Sequence, residues 1–278
     1  MEKNNLRGKG NISRGWGRCA RGARVDELGT ERGTGRGWGA GATGTTEGLR
    51  PIFDATLKPA PQPKWEHLYD ATKIHEKIPY ILYHPNFIKN PNELYQKFKK
   101  EFPFELRQVY LDSGKTYKLN RETCVFGDKD IMDAPPKIWG SNNPILPWTP
   151  ELLQIKTDIE NYYKDILKGQ TLTVALGNSY PDGTYSIGHH PDREERGSTE
   201  FIASVSLCDS PEGERMFEYI DVATGEIIRL ILGNGSLLLM LKGCQEHYTH
   251  SLPPDPNCHA GRINITLRIF RKDNYVKY

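Results

Sequence analysis

The chain changes character within "TLTVALGNSYPDGTYSIGHHPDREERGSTEFIASVSLC", residues 171–208. The stretch begins and ends on runs of strand length and composition, "TLTVALGNSY" and "FIASVSLC". Between them stand two histidines, a proline and an aspartate in four consecutive positions, 189–192, followed by a run of charge. Further strand-like runs come after it: "RMFEYID" (215–221), "EIIRLIL" (226–232), "SLLLMLK" (236–242) and "RINITLRIF" (262–270), with "ATG" as a hairpin turn between the first two. Six or more strands after two N-terminal helices make an α+β fold, a sandwich or open barrel of antiparallel sheets with helices packed on one face. Periodicity does not choose between barrel types.

Upstream, "IPYILYHPNFI" (78–88) reads as a first strand. "NPNELYQKFKKEF" (90–102) predicts a helix with Asn90 as cap, Pro91 at its first position, and Leu94, Tyr95 and Phe98 on one face. "LRQVYLDSGKTYKLNRETCVFGD" (106–128) alternates like two strands around a polar turn at Asp112–Lys115. Residues 133–150 are loop, and Thr149 and Pro150 open a helix to a stop at Gly169, with apolar residues at 152, 155, 159, 162 and 166.

The 278 residues suffice for one well-buried domain with an appendage. The appendage is the N-terminus. Residues 1–50 carry eight Arg and two Lys against five acids, a net +5 that leaves about −3 for the rest of a chain whose total is +2. They also hold 13 of the 27 glycines. Such a segment buries too little apolar surface to offset its ordering entropy. Residues 1–56 are expected to be a disordered Gly/Arg-rich tail, 57–77 a Pro-rich linker, and 78–278 the folded domain. The tail suits single-stranded nucleic acid, with Arg on phosphates and Trp16 and Trp38 stacking on bases; a solubilising extension is the alternative. No run reaches the length of a membrane span, and the N-terminus lacks the apolar core of a secretory signal. Five scattered cysteines without a CxxC pair argue against a disulfide framework and for a reducing, intracellular compartment.

His190 and Asp192 are spaced i, i+2, which in extended chain sends both side chains to one side. His250, in "QEHYTHSLP", offers a third ligand. Two imidazoles and one carboxylate on one face of an ion leave three octahedral positions open, the facial triad of non-haem Fe(II) oxygenases. A merely solvated charged loop is the alternative, and His189 and His247 are nearest to being alternative ligands. On "RINITLRIF", Arg262 and Arg268 share a face with Asn264 and Thr266. Two inward arginines are costly unless a fixed anion pairs with them, and a dicarboxylate in a guanidinium fork is such an anion. Arginine on an edge strand facing water is the other possibility.

"LGNSYPDGTYSIGHHPDREER…FIASVSL…GSLLLM…HSLP…RINITLR" resembles the AlkB family of Fe(II)/2-oxoglutarate dioxygenases over about residues 78–272. The resemblance implies a double-stranded β-helix (jelly-roll) core with N-terminal helices and a nucleotide-recognition lid at about 106–148, in whose segments 121–128 and 137–144 Phe126 and Trp139 are candidates for stacking on a flipped base, or for the core. It implies Fe(II) on His190, Asp192 and His250, with 2-oxoglutarate and O2 as cosubstrates. Arg268, helped by Tyr180, is implied at the distal carboxylate of 2-oxoglutarate, Arg262 and Asn178 at its chelating end, and Asn264 or Thr266 along the same pocket. Glu194 falls where the family places an acid that accepts from the exocyclic amine of a flipped base. The implied activity is oxidative demethylation of 1-methyladenine- or 3-methylcytosine-type bases in DNA or RNA, releasing formaldehyde. A polar tip at Asp112 and Ser113, instead of an apolar wedge, points to single strands. Arg193 departs from the family, which often has a second acid there. Action on protein, lipid or tRNA nucleosides, or non-catalytic RNA binding, are the competing readings. A monomer is expected, in nucleus or cytoplasm.

Overall fold

The structure, a computed structural model, describes residues 68–110, 116–132, 144–192 and 200–270. The expected tail, the first part of the expected linker, the tip of the polar turn, Trp139, Arg193 and Glu194 lie outside the described residues.

In chain order the elements are α1 (Ile74–Lys77), β1 (Ile81–His84), α2 (Pro91–Glu101), β2 (Glu105–Tyr110), β3 (Thr116–Gly127), α3 (Lys129–Met132), β4 (Ile145–Leu146), α4 (Pro150–Tyr162) and α5 (Lys164–Leu167). They continue with β5 (Val174–Tyr180), β6 (Ile187–His190), β7 (Phe201–Cys208), β8 (Arg215–Asp221), β9 (Ile227–Leu232), β10 (Leu237–Leu241), α6 (Cys244–His247), β11 (Tyr248–Leu252) and β12 (Arg262–Arg268). The strands form a large sheet ordered β1-β10-β7-β12-β5-β3-β2, with β4 beside β3, and a small sheet ordered β6-β11-β8-β9. Among the described strands β4 alone pairs in parallel, and Leu68 adds an isolated parallel bridge to Arg229. Two antiparallel sheets with helices at one side are the expected jelly-roll.

Alternation along the strands separates two cores. Ile263, Ile265 and Leu267 of β12 face outward, where Tyr95, Phe98 and Phe102 from the α2 region and Leu152, Ile155 and Ile159 of α4 cover them. Ile202, Leu238 and Met240 face inward, against Tyr219, Ile228, Leu230 and Tyr248 of the small sheet. In α4, Thr149 caps the N-terminus by accepting the Leu152 N–H at 3.3 Å. In α2, Asn90 makes no side-chain capping bond, contrary to the sequence expectation.

The long helix expected to reach Gly169 stops at Tyr162 instead. A new turn begins at Lys164 and ends through Lys168 and Gly169, with φ of 50° and 82°. The break shifts the buried face by one residue, so Tyr163 and Leu167 are buried while Tyr162 and Ile166 are exposed. The last ten residues of the expected linker are also folded. Tyr69 donates its N–H to the Arg229 carbonyl at 2.7 Å, and Ile74 is buried between the sheets. Isoleucine at 74 and 78 supplies the apolar anchor that the linker's proline-rich start lacks. Phe126 belongs to the helix-side core beside Phe102, centroids 4.5 Å apart, which removes it as a base-stacking candidate.

Candidate metal centre

The triad is assembled by strand register. His190 ends β6 and His250 lies mid-strand in β11, and the two are direct cross-strand partners. Their rings lie 4.5 Å apart, because opposed residues of an antiparallel pair project to the same face. Asp192 follows β6 by two residues and turns into the space between the sheets, 8% exposed. Ligand atoms of His190, Asp192 and His250 all lie within 4.8 Å of one another. His250 Nε2 and Asp192 Oδ2, 3.9 Å apart, are too distant for a hydrogen bond and near enough to share an ion.

The donor set fits Fe(II). Asp192 Oδ2 is buried and has no hydrogen-bond partner among the described residues. The Gly188 carbonyl accepts from His190 Nδ1 at 2.7 Å, which fixes the ring and leaves Nε2 bare for a metal. Burial lowers the pKa of His190, against the pull of the Gly188 carbonyl and Asp192. Burial likewise brings His250 down to about 3. Both imidazoles are therefore neutral near pH 7 and bind metal without first losing a proton. Burial opposes ionisation of Asp192, but Arg268, then His250 and His190, outweigh it and hold the carboxyl below its usual range.

The polar face of β12 runs away from the triad. Arg268 Nη2 donates to Asp192 Oδ1 at 2.7 Å. Arg262, at the far end of the strand, is 2% exposed. Its Nη2 donates to Ser206 Oγ at 2.8 Å and its guanidinium lies over the Tyr180 ring, 5.7 Å from the centroid. Among the described residues no carboxylate pairs with Arg262, and its Nε is buried without a partner. The resemblance had put Arg268 at the far end and Arg262 near the metal; their positions relative to the triad are the reverse. The reason is topological. The end of β12 that carries Arg268 is the end facing Asp192, and register opposes Arg262 to Tyr180 and Cys208.

Asn264 and Thr266 sit between the arginines, and their polar groups are used within the sheet. Asn264 Nδ2 donates to Ser204 Oγ at 2.7 Å and the Val205 carbonyl at 3.0 Å, and Thr266 donates to Asn264 Oδ1 at 3.0 Å. Asn178 accepts from Arg121 Nε at 2.7 Å.

Several contributors carried no sequence signal. Gln245, in the short helix α6, accepts the Asp192 N–H at 2.8 Å and so fixes the backbone of a ligand. Phe217 stacks on His250 with centroids 5.6 Å apart. Arg215, 1% exposed, donates to the carbonyls of Asp182, Tyr185 and Pro253, tying two loops together. Of the alternative ligands, His247 stacks on Tyr80 and His189 projects to the opposite face of the small sheet.

A profile of the "2OG-Fe(II) oxygenase superfamily" matches residues 81–268. The chain is 31% identical over 188 residues to "DNA oxidative demethylase ALKBH2" of Homo sapiens, a match covering 64% of this chain and 67% of that protein. Its match to the Bos taurus protein of the same name, 30% identical over 187 residues, covers 64% of this chain and 63% of the relative's length. To "Alpha-ketoglutarate-dependent dioxygenase alkB homolog 3" of Bos taurus it is 26% identical over 232 residues, covering 78% of this chain and 76% of the relative. With the triad, the inward arginines and the two-sheet core in the same 81–268 span, the chain belongs to the 2OG-Fe(II) oxygenase superfamily, in its AlkB branch.

Proposed function

We propose that the protein demethylates N-alkylated bases of the 1-methyladenine and 3-methylcytosine type in single-stranded DNA or RNA, consuming 2-oxoglutarate and O2 and releasing formaldehyde. One observation carries this reading. A His-Asp-His triad, with Asp192 and His250 buried, and a buried guanidinium without a carboxylate partner among the described residues stand at opposite ends of one polar strand face. A diacid that chelates the metal at one end and meets the guanidinium with its other carboxylate suits this arrangement.

His190, Asp192 and His250 would hold Fe(II), and Arg268 keeps the Asp192 carboxylate ionised and oriented through Oδ1, leaving Oδ2 for the metal. Arg262, with Ser206 and the Tyr180 ring, receives the distal carboxylate of 2-oxoglutarate; this revises the role first expected of Arg268. Bound iron, with 2-oxoglutarate and O2, supplies hydroxylation of the N-methyl carbon, after which the hemiaminal releases formaldehyde. Phe217 and Tyr219, packed around His250, keep water from that side of the site.

The substrate class rests on the DNA in the name of the ALKBH2 relatives and on the spacing of Glu194, two residues beyond Asp192. The preference for single strands rests on the polar Asp112–Ser113 tip of the lid proposed at 106–148. A reducing compartment, nucleus or cytoplasm, fits the four buried free thiols among the described residues. The test is formaldehyde and succinate release with 1-methyladenine or 3-methylcytosine oligonucleotides, single- and double-stranded. Turnover with neither lesion on either strand form overturns the proposal.

A further inference from the structure

The second histidine of "GHHPD" remains without a role in the metal centre. His189 points to the outer face of the small sheet, where its Nε2 lies 3.1 Å from Ser251 Oγ and 3.3 Å from Glu218 Oε2. Glu218 in turn receives Arg229 Nε at 2.7 Å. Ser251 opposes Glu218 across β11 and β8, and Glu218 opposes Arg229 across β8 and β9. One polar row thus crosses the sheet from β6 to β9, directly behind His190, His250, Tyr219 and Ile228 on the inner face.

The strand that begins this row is joined to the sheet through an irregular register. β6 lies at its edge and pairs with β11 only at His250↔His190 and Leu252↔Ile187, with an irregularity between them. Gly188 precedes His189, so the backbone there has no Cβ to restrain it. At the start of β6, Ser186 exchanges bonds with Asn120: its N–H reaches the Asn120 carbonyl at 2.9 Å, and Asn120 Nδ2 reaches Ser186 Oγ at 3.0 Å. At the ligand end the outer row supplies the tether. Without it His190 would sit on a bulged, short edge strand whose swing moves its ring away from His250.

We propose that His189 is a positioning residue: clamped by Ser251 and Glu218, it holds the edge strand so that His190 meets His250 and Asp192. The inference rests on the metal-centre reading and adds a residue outside the cavity to it. Glu218 is 13% exposed in its side chain and its carboxylate is shared between Arg229 and His189, so the row is anchored at a partly buried point.

The experiment uses the full chain and Mn(II) alone as a redox-silent probe, followed by loss of the free Mn(II) electron paramagnetic resonance signal. Urea unfolding of the metal-free protein is measured alongside. Wild type should bind one ion, and His190→Ala should bind none. His189→Ala should weaken binding about tenfold, as loss of an outer partner of a metal ligand does, with the metal-free unfolding midpoint close to wild type. Glu218→Gln should weaken it by less, and His189→Gln, whose amide still donates to Glu218, should recover much of the affinity. Binding by His189→Ala within twofold of wild type overturns the inference, as does a loss of affinity matched by a fallen midpoint. Complete loss, equal to that of His190→Ala, would make His189 a ligand and also overturns it. A wild type that binds no Mn(II) sinks the metal-centre reading itself, and this inference with it.

Discussion

Arg268 and Arg262 are the same residue type on the same strand and face, 5% and 2% exposed, yet they stand in opposite electrostatic situations. Arg268 meets a carboxylate at 2.7 Å. Arg262 meets a serine hydroxyl and the face of a tyrosine ring. One charge is neutralised by the fold, whereas the other is left for a ligand to neutralise. A buried cation without an anion is a standing cost, which under the proposed function the distal carboxylate of 2-oxoglutarate would offset.

Removing each arginine breaks the comparison in a different way. Arg268→Ala should have the largest effect. It strands Asp192 as a buried, unpaired carboxylate, which costs roughly 3–5 kcal/mol when one partner of such a pair is removed. Urea unfolding of the metal-free protein should show that loss, and Mn(II) affinity should fall at least about 100-fold. Retained stability and metal binding would mean Arg268 does not hold Asp192.

Arg262→Ala should raise the 2-oxoglutarate concentration needed for half-maximal turnover by about 10- to 100-fold, the worth of a charge-assisted hydrogen bond. Metal affinity should hold, and metal-free stability should not fall as it does for Arg268→Ala, since no ion pair is lost. Equal losses in both variants would erase the distinction between the two ends.

The pH dependence sharpens the same contrast at the triad end. In the unfolded chain His250 takes up a proton near its ordinary 6.5, but in the fold it resists until about 3. The unfolded state therefore binds more protons in that window, and metal-free stability falls as pH drops through it. Between pH 7.5 and 5 the loss should be about 2 kcal/mol for one such imidazole, seen as a lower urea midpoint. His250→Asn should flatten that slope.

The smallest effect is expected from deleting residues 1–50. With their net +5 gone, oligonucleotide affinity should drop at low salt and converge with wild type as salt rises, while turnover of a methylated mononucleoside stays unchanged. An inactive truncated protein would contradict the expected independence of this segment.

Legibility in the sequence followed the two sheets unevenly. The central strands of the large sheet, β5, β7, β10 and β12, were evident from their apolar runs and strand-forming composition, and β12 keeps unbroken register with both neighbours. The small sheet was harder. β8 and β9 were readable with their turn, where Asp221 Oδ1 accepts the N–H groups of Ala223 and Thr224 before Gly225 at φ 74°. The segment holding His250 did not read as a strand, because "YTHSL" mixes polar and apolar residues without a clear period. Its conformation comes from pairing with β6 and β8. Likewise the break after Tyr162 follows from packing on the sheet, since helical periodicity continues through it in the sequence.

The amino-acid order alone determined the α+β class, the His190–Asp192 spacing and the shared face of Arg262 and Arg268 on one strand, because these are local patterns set by the period of the backbone; that this face is buried is a fact of the fold. Only the tertiary structure decided that His250 faces His190, that Arg268 serves the metal end and Arg262 the open end, and that His189 turns outward. Those facts depend on strand register and on which ends of distant strands meet, and no residue's neighbours in sequence carry that information.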